Sequence, residues 1–346
     1  MSKSREKNVT IKDVARTAGV SITTVSNVLN NRLDAMSEET LQRVVKVMRQ
    51  LDYHPNALAR GLVTRHTASI GVIVAEIETP LFLQALNTIE PIARNAGYSV
   101  LMSNARSSDL EYQMLQVLLE KRVDGLIFLS VSQEVDNDYV LELDRLQVPT
   151  VFVNRAITYE SLDSINWDDT SGVIQAMEYL IRLGHRRIAH LRGPKGRLSG
   201  TNRLRGYRLS LQKHNLEYRR DYVRSGDYTS SPETWRHSML KLLDLTPRPT
   251  AIIASDDIVA AIAVKTIQQA GLRVPQDISV VGIDDQHFCS YLNPALTTVR
   301  LPVLEAGRRA VEMVLERIAG QRANVEHVLL PCSLIVRNSC AAPPES

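Results

Sequence analysis

From Ser69 onward the sequence alternates between two periodicities, and this alternation limits the fold more than any other feature. Short apolar runs, SIGVIVAEI, YSVLMSN, GLIFLSV and PTVFVNR, are interleaved with longer helical patterns such as LFLQALNTIEPIARNAG and DLEYQMLQVLLEKR. A strand that is apolar on both faces has to be covered on both faces, which parallel sheets achieve with crossover helices. A second series follows: RIAHLRGP, TAIIASDD and ISVVGIDD, again with helical patterns between. Two consecutive series predict an α/β core of parallel sheets in two lobes. The expected core covers 67–341, with lobe one at about 67–165 and 297–326 and lobe two at about 166–296 and 327–341. The terminal AAPPES is expected to be disordered, with a tail at 342–346.

Composition narrows the function classes. The 346 residues are 44% hydrophobic and 23% charged, ordinary values for a soluble globular chain. No apolar run approaches the ~18 residues of a membrane span. The opening MSKSREKNVTIKDV lacks the apolar stretch of a signal peptide, so a cytoplasmic protein without membrane contact is expected. Cys289, Cys332 and Cys340 lack metal-ligand spacing and read as reduced thiols. No GxGxxG follows the first strand, and neither a phosphate-binding GxxxxGK[ST] nor a GxSxG occurs. The histidines show no metal or triad spacing. No catalytic residue, no metal and no cofactor is expected.

The first 66 residues differ from the rest. They hold 11 Lys and Arg against 6 Asp and Glu, a net of +5, whereas the remainder carries −2. A basic head on a near-neutral body suits a polyanionic partner. Within VTIKDVARTAGVSITTVSNVLNNR, residues Ile11, Val14, Ala15 and Ala18 form one helical stripe. Gly19 then supplies a turn. Ser21 is a good N-cap for a second helix that buries Val25, Val28 and Leu29. This is a helix-turn-helix pattern. The outer face of the second helix holds Ser21, Ile22, Thr23, Ser26, Asn27 and Asn30, with no acid to repel phosphate. A third helix, capped by Ser37 with Glu38 and Glu39 in its first turn, closes the core with Leu41, Val44, Val45, Met48 and Leu51. An ordinary three-helix bundle has the same pattern.

The following YHPNALARGLVTRHT is too short a helical segment to be stable alone, and Gly61 weakens it further. It reads either as a plain linker or as a hinge that folds only on DNA with a second copy present. In the second case Leu62 is a wedge for the minor groove. The expected domains are thus 1–54 for the head, 55–66 for the hinge and 67–341 for the core.

TIKDVARTAGVSITTVSNVLN, LDYHPNALARGL and SIGVIV, in this order, resemble the lactose/purine repressor (LacI/GalR) family of bacterial transcription regulators. The resemblance runs through nearly the whole chain. It implies a helix-turn-helix head on a two-lobed, periplasmic-binding-protein-like core. The implied partners are near-palindromic double-stranded operator DNA, a second copy of the chain in a homodimer, and a small-molecule effector between the lobes. The expected DNA-contacting residues are Thr10, Ser21, Ile22, Thr23, Ser26, Asn27 and Asn30 in the head, with Asn56, Ala59 and Leu62 in the hinge.

In open parallel sheets, ligands bind beyond the carboxyl ends of the strands. Those loops here are rich in Asp, Asn, Arg and hydroxyls, with Phe82, Trp167 and Tyr228 interleaved. That mixture suits a small polar ligand such as a sugar. The resemblance implies effector contacts from Phe82, Asn154, Trp167, Arg197, Ser199, Arg203, Tyr228, Ser255 and Asp284. Ser255 stands where relatives usually carry Asn, which leaves the effector's identity open. Asp256 is read as the cap of the helix IVAAIAVKTIQQAG, and Asp285 as an exposed acid. A nucleobase or nucleoside corepressor is the alternative effector. A sugar-binding transport receptor is a remote alternative, because it has no use for residues 9–62.

Overall fold

The computed structural model describes residues 9–29, 36–53, 66–75, 80–129, 142–143, 145–155, 162–193, 197–226 and 231–345. The chain forms two compact units, Met1–Thr67 and Ala68–Ser346.

The first unit contains α1 (Ile11–Ala18), α2 (Ile22–Leu29) and α3 (Glu38–Gln50). Thr10 starts α1 through a reciprocal cap: its N–H and hydroxyl both donate to Asp13, at 3.0 and 2.7 Å. Gly19 ends the helix with φ 64°, a left-handed conformation that glycine adopts without penalty. Ser21 then caps α2 by accepting the Thr24 N–H at 3.0 Å. Ser37 caps α3 in the same way through Thr40. The small core is Val14, Ala15, Ala18, Val25, Val44 and Val47, with Ile11, Val28, Leu29, Met48 and Leu51 packed against it. Val47 therefore takes the place expected of Leu41 and Val45, which stay at the margin of the bundle.

The second unit holds two six-stranded sheets. The first sheet comprises β1 (Ser69–Val74), β2 (Ser99–Asn104), β3 (Gly125–Leu129), β4 (Thr150–Val153), β5 (Asp163–Trp167) and β11 (His327–Leu330), in the order β11-β5-β4-β3-β1-β2. All of its pairings are parallel. The second comprises β6 (Ile188–Arg192), β7 (Val223–Ser225), β8 (Ala251–Ala254), β9 (Ser279–Asp284), β10 (Thr297–Arg300) and β12 (Ser333–Ile335). Its order is β12-β10-β9-β8-β6-β7, with only β12 antiparallel. The two orders are the same pattern repeated, so each lobe has its topological switch point beside its first strand.

The lobe limits differ from the sequence expectation in two places. Residues 297–300, expected in lobe one, form β10 beside β9 of the second sheet. Residues 327–330, expected in lobe two, form β11 beside β5 of the first. The chain thus crosses between lobes after β5, after β10 and after β11. Strand partnership is a non-local choice, and short runs such as TTVR and HVLL carry no local mark of which sheet they join. The strands β5, β7, β10, β11 and β12 also lack the long apolar runs that made the others legible.

One apolar cluster spans both lobes. It joins Ile70, Val72, Ile89 and Val311 on the first side to Val173, Tyr207, Ile253 and Val281 on the second. Each large apolar side chain buried in this way contributes about 1.5–3 kcal/mol. The C-terminal segment belongs to lobe two, contrary to the expectation of a disordered AAPPES. The Ala341 N–H donates to Ser279 Oγ at 3.1 Å, and its carbonyl lies 2.9 Å from His185 Nε2.

Candidate functional site

In the head, α2 presents Ile22, Thr23 and Ser21 to solvent, with Ser26 and Asn27 half-buried on its flank. Ile22 is 46% exposed, unusual for a large apolar side chain in so small a unit. The hydroxyls of Thr10 and Ser21 are already engaged as helix caps, so both residues hold the ends of α1 and α2 in place. Asn30 and the hinge residues Asn56, Ala59 and Leu62 lie outside the described residues.

In the core, the carboxyl ends of the two sheets face each other. The helix Pro80–Asn95 follows β1, and Gln84 on it reaches Gln286, which follows β9, at 3.3 Å. The lobe-two side of this cleft is built around Arg203, which comes from the helix Leu198–Lys213 and is 4% exposed. Its Nε donates to Asp169 Oδ1 at 2.7 Å. Its Nη1 donates to the carbonyl of Ser255, at the end of β8. Ser255 is fully buried, and its hydroxyl donates to Asp256 at 3.4 Å. Asp256 caps the helix Asp257–Gln269 by accepting the Val259 N–H at 2.7 Å, as its sequence position suggested. Asp257, also fully buried, accepts from Thr298 Oγ1 at 2.5 Å and from the Gln286 N–H at 2.7 Å.

Four carboxyls thus gather here, three of them, Asp169, Asp256 and Asp284, within reach of the Arg203 charge. Burial raises all of them. At Asp169 the Arg203 charge and hydrogen bond oppose that rise. At Asp256 the Val259 N–H and Arg203 oppose it. Asp257 is raised to about 6 by burial, against its bonds to Thr298 and Gln286. Asp284 is pushed well above the usual carboxylate range by burial, then by Asp257, Asp256 and Asp169, with Arg203 pulling the other way. Asp284 remains half-buried, and its carboxylate accepts no hydrogen bond from a described residue.

The other expected effector residues divide into groups. Asn154 ends β4 with φ 56°, its N–H donating to Ile165 O at 2.8 Å. Phe82 and Trp167 are 4% and 2% exposed and belong to the apolar cluster shared by the lobes. Trp167 Nε1 has no hydrogen-bond partner among the described residues. Arg197 is the N-cap of the helix Leu198–Lys213, and Ser199 lies in its first turn, both half-buried. Tyr228 lies outside the described residues. Asp285, read from the sequence as exposed, is instead 8% exposed and paired with Arg300 and Arg337 at 2.7 and 2.6 Å. Those arginines stand 15 and 52 residues away, so nothing local announced the pairing. Sequence reasoning also missed Asp169, Asp257, Gln84 and Gln286. The doubled acids of NWDD and SDD were the available signal for the first two.

Residues 10–56 match the lacI family of bacterial regulatory proteins, and residues 177–340 match the periplasmic binding protein-like domain. The chain is 36% identical over 337 residues to the HTH-type transcriptional repressor PurR of Serratia proteamaculans (strain 568), covering 97% of this chain and 98% of the relative. Among solved structures, a Lac repressor dimer bound to operator and the anti-inducer ONPF is 32% identical. It aligns with TM-score 0.87 over 97% of this chain and 100% of that one. A complex of the transcriptional regulator CelR with cellobiose is 29% identical, with TM-score 0.72 over 96% and 99% of the two chains. A helix-turn-helix head on a two-lobed binding core defines a transcription regulator. The chain belongs to the lacI family of bacterial regulatory proteins.

Proposed function

We propose that this chain is a cytoplasmic transcriptional repressor, not an enzyme, whose operator affinity is set by a small polar effector bound between the lobes. A homodimer presents two copies of α2 to two half-sites of a near-palindromic operator. Ile22, Thr23 and Asn27 read base edges. Thr10, Ser21 and Ser26 lie at the phosphates, with Asn30, Asn56, Ala59 and Leu62 completing the DNA-contacting set.

The observation that carries the effector reading is the half-buried carboxyl of Asp284, which accepts no hydrogen bond from a described residue, beside the buried Arg203–Asp169 pair. An acceptor in such a place favours a ligand rich in hydroxyl donors, and a sugar or sugar derivative fits. The solved relative bound to cellobiose supports this class. Asn154, Arg197, Ser199 and Tyr228 supply further polar contacts, while Phe82 and Trp167 supply ring faces. A nucleobase or nucleoside is the second reading. It is favoured by the buried Trp167 Nε1, which has no partner among the described residues and suits an acceptor on a flat ring.

The mechanism is linkage: effector and operator affinities change reciprocally through one coupling free energy. Calorimetry with a panel of sugars and nucleobases, on the intact chain and on Asp284→Asn, tests the site. The expected result is one binder in the panel whose affinity is lost in the variant. A binder that is indifferent to Asp284→Asn overturns the assignment.

A further inference from the structure

The turn after β9 connects the effector carboxylate to the opposite lobe. Asp284 and Asp285 have φ values of 122° and 58°. Each left-handed non-glycine residue costs about 1–3 kcal/mol, so two in succession persist only where their surroundings hold them. They are held from lobe two. The Asp285 carboxylate accepts from Arg300 Nε and Arg337 Nη2, and its N–H donates to Thr298 Oγ1 at 3.4 Å. The Gln286 N–H donates to Asp257 at 2.7 Å. The Gln286 backbone is therefore fixed, and its side chain, 4% exposed for the whole residue, leaves the lobe. Its Oε1 accepts from Gln84 Nε2 of lobe one at 3.3 Å. Gln84 lies one helical half-turn beyond Phe82, on the helix that opens at the carboxyl end of β1.

We propose that the Gln84–Gln286 hydrogen bond is an interlobe latch, and that occupancy at Asp284 acts on it through the 284–286 turn. This rests on the effector reading above. Asp284 and Gln286 are two residues apart in a turn whose middle residue is clamped by two arginines. A ligand that draws the Asp284 carboxylate toward itself has to rotate this turn, and the Gln286 amide moves with it. Arg300, one of the two clamps, closes β10 just before the chain crosses into lobe one at the helix Val303–Ile318. The same turn is thus tied to a crossover as well as to the latch. Neither amide titrates, so the latch responds to geometry and not to its own ionisation.

The test uses the full chain with spin labels at Glu120→Cys and Lys241→Cys, one exposed site in each lobe, mixed with excess unlabelled chain. Pulsed dipolar spectroscopy reads the interlobe distance without any effector. Operator affinity is read on a duplex that the intact chain selects from a random pool. Gln84→Leu and Gln286→Leu should each broaden the distance distribution and change operator affinity by the same factor, roughly two- to tenfold for one neutral hydrogen bond. The double variant should match either single one. Unchanged distances, or a double variant equal to the sum of two independent effects, overturns the latch. Asp285→Asn, which weakens the hold of Arg300 and Arg337 on the turn, should alter the distribution in the otherwise intact chain and not in Gln84→Leu. An equal change in both backgrounds overturns the part given to the turn. Because no arm contains an effector, a failure of the latch stays distinguishable from a failure of the effector assignment, which calorimetry reads.

Discussion

Arg203 shows how burial decides what a side chain is for. From its sequence position it reads as an effector contact, and in the structure its Nε donates to Asp169 and its Nη1 to the Ser255 carbonyl. Removing one partner of a buried pair leaves the other charge without compensation, at about 3–5 kcal/mol. Arg203→Ala should therefore lower the stability of the core by that amount, read by denaturant unfolding. An effect under about 1 kcal/mol would place the side chain on the ligand instead. Asp284→Asn should not lower stability and should raise it as the pH climbs, because no described hydrogen bond is lost and burial and the neighbouring carboxyls already disfavour the Asp284 charge. On the head, Thr23→Ala and Asn27→Ala should alter base preference by roughly 1–3 kcal/mol at the contacted position. Selection from a random duplex pool reads this directly. A uniform loss across all sequences would assign these side chains to phosphate.

At the scale of elements, caps and buried histidines set the stability. Ser21 satisfies an N–H that α2 cannot satisfy itself, so Ser21→Ala should cost the head about 1 kcal/mol. In lobe two, His185 lies between Thr250, Ser279 and Ala341, and His190 donates its Nδ1–H to the Ile253 carbonyl at 3.0 Å, its Nε2 having no partner among the described residues. Burial lowers both, His190 to about 4. The sign follows from proton uptake. Below pH 6.5 the unfolded histidine binds a proton that the folded one refuses, so unfolding gains. The contribution of His190 is complete above about pH 6.5 and is lost as the pH falls toward 4, at up to about 1.4 kcal/mol per pH unit. Raised carboxyls such as Asp257 work in the opposite sense over the same range. The comparison that isolates the histidine is His190→Asn, whose stability advantage relative to the intact chain should grow as the pH drops from 6.5 to 4.5. A pH-independent difference would show that the folded His190 takes up its proton over the same pH range as the unfolded one.

For the whole molecule, the surface of lobe one supports the proposed homodimer. The edge strand β2 exposes Leu101 and Met102, and the helix Ser108–Glu120 beside it exposes Leu110, Tyr112 and Val117. An unpaired edge with apolar side chains is a surface that chains cover. A dimer holding two heads converts the second half-site contact into an intramolecular one. Met102→Glu should give monomers in sedimentation and lower operator affinity by roughly 10²–10⁴-fold, with the fold of each protomer intact. Dimers that survive this change would place the interface elsewhere, with Ile258 and the 85%-exposed Tyr291 of lobe two as the next surface to alter.

Local chemistry was enough to define the head and the class of the core. Gly19, Ser21 and Ser37 mark helix ends through backbone demands that act within four residues, and the apolar runs of β1, β3, β4, β6, β8 and β9 announce a buried parallel sheet by themselves. Asp256 was legible as a cap for the same reason. What the tertiary structure decided was partnership at a distance. The sheet that β10 and β11 join, the clamping of Asp285 by Arg300 and Arg337, the pairing of Arg203 with Asp169, and the meeting of Gln84 with Gln286 across 202 residues all depend on chain segments brought together only by folding. A residue type and its neighbours fix what a side chain is able to bond. Burial, and the charge that happens to face it, fix which bond it makes.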